Sequence, residues 1–113
     1  MNALTITEYY PVTELVQNLN IVGYDSSLNG MIERVRDQEY YYLKRYTGKT
    51  LEEVSEQPED SHLFKTALTS LIEVYLFYKD PDAIKLRKDE IRLTVKPLRV
   101  EDSPNFATSS FRI

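Results

Sequence analysis

The sequence predicts a mainly α protein: a small bundle of three to five helices followed by a flexible or extended C-terminal tail. Three observations carry that expectation. Two long segments, within 28–46 and 64–78, repeat apolar residues at helical spacing. Residues that start and stop helices stand at their edges, among them Thr50 with Glu53 and Gly48. The last stretch, "RVEDSPNFATSSFRI", holds too few apolar residues to close a core by itself.

At 113 residues the chain has room for one hydrophobic core. The expected division is a helical domain over 1–98 and a tail over 99–113. Apolar residues at 42% and charged residues at 28% give the balance of a globular chain. The longest apolar-rich run, Leu71 to Tyr78, is broken by Glu73 and falls short of the roughly 20 residues a bilayer needs, so no membrane partner is expected. "MNALTITEYY" lacks a basic region followed by an apolar stretch, which argues against a secretory signal. With no cysteine, stability must come from packing, which fits a reducing compartment.

The elements follow in order. After Pro11, Thr13 can cap and Glu14 favours the positive end of a short helix, with Leu15, Val16 and Leu19 on one face and Gly23 as the stop. Ser26 or Ser27 caps a longer helix running to about Tyr46. Counting about 100° per residue from Val35, Leu28, Met31, Ile32, Tyr42 and Tyr46 form one stripe, with Leu43 at its edge. Tyr40 and Tyr41 project from the opposite side. Glu39 falls on the core side and needs either a route to solvent or a partner such as a tyrosine hydroxyl.

"YTGKT" at 46–50 closes this helix. It has a partial likeness to a phosphate loop, but that loop needs glycine at position 43, where Leu43 stands, and a strand before it. Gly48 is expected instead to be the left-handed residue that ends the helix, with Lys44, Arg45 and Lys49 suited to the negative end of its dipole.

Thr50 and Glu53 have capping-box spacing and open a helix of about two turns that Pro58 ends. Asp60 or Ser61 caps the most apolar helix. Its main face holds Phe64, Ala67, Leu68, Leu71, Val74, Tyr75 and Tyr78, while Ile72, Leu76 and Phe77 lie outside that face. A helix apolar on more than one side is covered from more than one side, by its own fold or by a neighbour. "KDPDA" is a turn. Beyond it, Ile84, Ile91, Val95 and Leu98 keep helical spacing, while Ile91, Leu93 and Val95 alternate as in a strand. A helix over about Lys88 to Lys96, ended by Pro97, is the favoured expectation.

Catalytic and metal chemistry is missing from this inventory. His62 is the one histidine, placed in an opening helical turn, and no cysteine or second histidine completes a zinc set. The acids of 52–60 lack calcium-loop spacing, and Ser61 with His62 are adjacent, which points them apart on a helix. The expectation is a non-enzymatic protein with no cofactor and no metal.

Charge and aromatic content point to contacts with other chains. The net charge of -4 argues against binding nucleic acid by phosphate neutralisation. Residues 50–61 carry Glu52, Glu53, Glu56, Glu59 and Asp60 with no basic residue. Residues 79–99 carry Lys79, Lys85, Arg87, Lys88, Arg92, Lys96 and Arg99 against four acids. Opposite surfaces of this kind either are solvated faces or dock copies head to tail. Nine tyrosines and four phenylalanines exceed what so small a core needs. Tyr9, Tyr10, Tyr40, Tyr41, Leu76 and Phe77 are therefore candidates for subunit contact, with Glu52, Glu53, Glu56, Lys85, Arg87 and Lys88 as the charged partners. Some of the tyrosines can equally cover the domain's own helices. Phe106, Phe111 and Ile113 are spaced anchors on a tail that either frays or orders on a partner.

The order of elements resembles the head-tail connector proteins of tailed bacteriophages, also called adaptor or head-completion proteins. The residues that carry the likeness are a first helix ending "LNI", a turn with Asp25, "SLNGMIERVRDQEYYYLKRYTGK", "LFKTALTSLIEVYLFYKD" and a late "VKPLRV". It covers roughly residues 12–100, and its sharpest points are "YTGK" and "KPLRV". The strand-like "IRLTVK" and the acidic insert at 50–60 depart from the usual pattern. The resemblance implies a ring of roughly a dozen copies beneath the portal protein, extending the DNA channel and receiving a stopper or tail-completion protein. DNA would only pass through. It implies a place in the virion neck after assembly in the host cytoplasm, and a C-terminal segment that grips the portal through Arg99, Val100, Phe106, Phe111, Arg112 and Ile113. A small helical DNA-binding or partner-binding regulator, using "EDSHLFKTALTSLIEV", is the alternative.

Overall fold

The computed structural model describes residues 3–19 and 21–100. Among them are six α-helices, one more than the upper expectation, and no strand: α1 (Ile6–Tyr9), α2 (Val12–Asn18), α3 (Asn29–Thr47), α4 (Leu51–Ser55), α5 (Pro58–Phe77) and α6 (Pro81–Val95). Turns of 3-10 helix precede α3 (Ser26–Leu28) and follow α6 (Lys96–Leu98).

Local chemistry explains the starts and stops. Thr5 and Glu8 form a capping box that opens α1, a helix not expected from the sequence. Pro11, not Thr13, is the N-cap of α2. Asp25 caps the turn at Ser26, where a serine cap was expected. Thr50 and Glu53 form the expected capping box of α4. Gly48 ends α3 at φ 74°, the left-handed conformation expected of it.

Two prolines act differently from the expectation. Pro58 opens α5 at its first turn with Gln57 as N-cap, so the cap is neither Asp60 nor Ser61. Pro81 likewise opens α6, with the Asp80 carboxylate accepting from the Ala83 N–H. Proline lacks only an N–H that a first turn leaves unpaired anyway, and its fixed φ suits that position. Residues 88–95 are therefore part of a helix that begins seven residues earlier, Lys96 opens the 3-10 turn that follows, and the strand alternative drops out. Pro97 lies within the final 3-10 turn.

Helix α5 is the centre of the fold, packed most extensively on α6 and α3 and also on α4. Phe64, Ala67, Leu68, Thr69, Leu71, Ile72 and Val74 are all buried along it. Ile72 thus joins the core, while Tyr75 and Tyr78, expected on the inner face, are exposed. Short connections fold α3, α5 and α6 back and forth. Lys88 meets Glu39 of α3, Arg99 lies over Tyr46, and the Val100 N–H donates to the Thr47 carbonyl at 2.7 Å, so α6 and its final turn climb in the same direction as α3.

The buried face of α3 is rotated from the expected stripe. Ile32, Val35, Arg36, Glu39, Tyr40, Leu43 and Thr47 are buried, whereas Met31, Tyr42 and Tyr46 are half-buried. The cause is α1 and α2, which cover a second side of α3 and α5. The Tyr10 hydroxyl bonds Thr69 of α5 at 2.7 Å and accepts from Asn18 at 2.9 Å. The Tyr9 hydroxyl bonds the Ser61 hydroxyl at 2.7 Å, and its ring meets Phe64 edge-on. Arg36, 2% exposed, donates to the Tyr10 carbonyl at 3.2 Å and the Thr7 hydroxyl at 3.1 Å and pairs with Asp37 at 2.8 Å. A buried guanidinium is tolerable only with partners of this kind.

Two stability measurements follow. Tyr10→Phe deletes the hydroxyl shared by Thr69 and Asn18 and is expected to cost about 1–2 kcal/mol in urea unfolding. Gly48→Ala is expected to cost about 1 kcal/mol, because an alanine at positive φ is strained and its Cβ would lie 3.4 Å from Val100 Cβ.

Candidate interaction surface

The fold separates the candidate aromatic contacts by burial. Tyr9, Tyr10 and Tyr40 are 7%, 0% and 8% exposed and belong to the chain's own core, so they are withdrawn as contacts between copies. The Tyr40 ring packs edge-on against Phe64 at 6.4 Å, and the same burial raises the pKa of its hydroxyl. A helix count on α3 alone could not place Tyr40 inside, because the second cover comes from elsewhere in the chain. Tyr41, by contrast, is 60% exposed, and its ring lies 5.2 Å from that of Tyr40.

Leu76 is half-buried, and Phe77 is exposed at the end of α5, where Tyr75 and Tyr78 are exposed as well. Leu86 and Leu93, seven residues apart on α6, add an outward apolar pair at 64% and 66% exposure. Sequence reasoning missed Leu86 and Leu93. Their spacing of two turns was the available signal, overshadowed by the strand-like alternation around Leu93. The result is large apolar side chains left uncovered at the end of α5 and along the outer face of α6.

The charged candidates divide in a similar way. Glu52 accepts the Leu4 N–H, which holds its carboxyl below the usual range, and Glu53 accepts the Thr50 N–H at 2.8 Å in the capping box. Both are exposed yet already occupied within the chain. Glu56 is exposed, as is Glu59. On α6, Lys85 is exposed and Arg87 pairs with Glu90 at 3.4 Å. Lys88 turns inward: its ammonium is 3.7 Å from Glu39 and 5.0 Å from the Tyr42 ring centre. It therefore serves the chain's own interior and is withdrawn as a subunit contact.

Glu39 holds the one buried side-chain polar atom among the described residues that lacks a hydrogen-bond partner. Its carboxylate is 3% exposed, one oxygen receives only a long 3.4 Å bond from Gln38, and the other has no hydrogen-bond donor. It borders a cavity of about 230 Å³ between α3, α5 and α6, lined also by Leu71, Val74, Tyr75, Ile84 and Lys88. Burial pushes the carboxyl up from its ordinary value, and Lys88 only partly opposes that. Of the two expectations for Glu39, a route to solvent or a partner, the second holds, with an ammonium from α6 in place of a tyrosine hydroxyl.

Of the residues expected to meet the portal, Arg99 and Val100 are exposed, Arg99 with its guanidinium 5.2 Å from the Tyr46 ring centre. Phe106, Phe111, Arg112 and Ile113 lie outside the described residues, as do residues 101–113 of the tail expected over 99–113. No helix among the described residues is long and apolar enough to cross a membrane. No protein-family model, curated protein or solved structure matches the chain.

The Glu39 site yields a pH dependence with a definite sign. Its folded pKa lies above the unfolded value near 4.5, so the folded state holds the proton more tightly. That contribution to stability is fully present below the unfolded value and is lost as pH rises through the folded one. Glu39→Gln is expected to remove this slope and to be no less stable than wild type at neutral pH. Lys88→Met leaves the carboxylate without its cation and is expected to cost about 1–3 kcal/mol at neutral pH, the deficit shrinking in acid. Urea unfolding of the three proteins at several pH values measures both effects.

Proposed function

We propose that this chain is a non-enzymatic structural subunit, the head-tail connector of a tailed bacteriophage. In this reading it assembles as a ring of roughly a dozen copies under the portal protein, extends the DNA channel, and joins capsid to tail through a stopper or tail-completion protein. Its final place is the virion neck, reached from the host cytoplasm during assembly. DNA passes through without being held, as the acidic net charge favours.

The observation that carries the proposal is the uncovered set Tyr41, Tyr75, Phe77, Tyr78, Leu86 and Leu93 outside a completed core. A subunit that spends its assembled life against neighbours has reason to leave such side chains outside. The order and spacing of "YTGK", "KPLRV" and the helices between them supply the particular class. Arg99 and Val100 stand where the body meets the tail, in the position from which Phe106, Phe111, Arg112 and Ile113 would reach the portal.

The regulator alternative is less well supported. The segment it would place in a DNA groove is α5, whose side chains are buried on several sides by the other helices.

The test is co-sedimentation with the portal ring encoded in the same genome. The chain is expected to travel with the ring, and Phe111→Ala with Ile113→Ala to weaken that association by roughly tenfold or more, as loss of buried apolar anchors does. A chain that remains in the light fraction at high portal concentration contradicts the proposal, as would a gene that lies far from portal and capsid genes.

A further inference from the structure

Three arginines from three parts of the chain converge on one groove. Arg45 stands on the last turns of α3, Arg92 on α6 and Arg99 beyond the final 3-10 turn. With Tyr42 and Tyr46 they line an open cavity of about 410 Å³. Arg92 pairs with Asp89, while no carboxylate among the described residues pairs with Arg45 or Arg99. A guanidinium over an aromatic ring keeps its planar donor edge free, and that edge matches a carboxylate in a two-pronged fit.

The complementary charge lies at the same level of the bundle. Glu56 follows α4, and Glu59 and Asp60 sit in the first turn of α5. Among the described residues no cation pairs with any of them. The Val100–Thr47 hydrogen bond fixes the arginine groove to the end of α3, and α4 begins at Leu51, three residues past Gly48. Both patches therefore occupy the end of the bundle where α3 terminates. They lie on different flanks. Tyr40, which packs on the start of α5, is about 160° from Tyr42 and about 120° from Tyr46 around α3.

We propose that the Arg45, Arg92 and Arg99 groove receives the Glu56, Glu59 and Asp60 carboxylates of a second copy. The inference rests on the ring reading above and adds which surfaces meet. Two complementary patches at one height on different flanks make a heterologous contact, and repeating it turns the chain about an axis along the bundle without a rise. That is the condition for a closed ring, whereas patches at different heights would generate a helix of subunits.

A charge-swap experiment decides it. One full-length variant carries Arg92→Glu and Arg99→Glu; the other carries Glu56→Lys and Glu59→Lys. All four sites are on the surface, and circular dichroism confirms that each variant is folded. Assembly is followed by sedimentation velocity at low and high salt, with and without portal rings. The wild type is expected to assemble, more weakly at high salt. Each variant alone is expected to lose at least roughly tenfold in association, because like charges then face each other. An equimolar mixture is expected to recover assembly, since the two variants can alternate around an even-numbered ring. If both variants assemble as the wild type does, or the mixture fails to recover, the pairing is overturned while the ring reading stands. A wild type that never self-associates overturns both, and a groove that instead holds a short DNA duplex, released by the arginine variant, overturns the pairing in favour of a phosphate ligand.

Discussion

Everything in this fold depends on covering one helix. Helix α5 is apolar around most of its circumference, and no single neighbour can shield a surface that wraps so far around an axis. α3 and α6 take two sides, α4 takes part of the start, and the hydroxyls of Tyr9 and Tyr10 bring α1 and α2 onto Ser61 and Thr69. The polar anchors are consequences of this wrapping. Arg36 is buried because the N-terminal segment closes over it, and it is tolerated because that same segment supplies a carbonyl and a hydroxyl.

The cover is incomplete in a patterned way. At the end of α5 and along the outer face of α6, Tyr75, Phe77, Tyr78, Leu86 and Leu93 remain in solvent, although the interior is already filled. At the other end of the bundle, positive and negative groups sit on separate flanks. The proposed assembly, with copies of the chain and two different partners, gives both arrangements a use.

Much of this was legible in the sequence, and the misses have a common cause. The two long helices, the Thr50–Glu53 capping box and the left-handed Gly48 follow from local chemistry and stand in the fold as expected. Pro58 and Pro81 look like stops in the sequence because a proline ends a preceding helix as readily as it opens the next; which of the two occurs depends on the residues after it. Periodicity along α3 sees one buried stripe and leaves Tyr40 outside it, and the surplus of tyrosines says nothing of where Tyr9 and Tyr10 go; all three are inside. The second cover, from α1 and α2, is a tertiary fact, and Thr5 with Glu8 was the only local hint of it. In the sequence Lys88 is one more basic residue of the 79–99 stretch. Its place beside Glu39 could be seen only once α6 was known to run alongside α3.

The aromatics divide by burial: Tyr9, Tyr10 and Tyr40 hold the chain together, and under the proposed assembly Tyr41, Tyr75, Phe77 and Tyr78 would meet other chains. Hydroxyl-radical footprinting read by mass spectrometry, on the free chain and on assembled particles, tests that division directly. The account predicts that the first set is protected in both states and that the second is modified in the free chain and shielded on assembly. Modification of Tyr9, Tyr10 or Tyr40 in the folded free chain, or unchanged labelling of the second set after assembly, would contradict it.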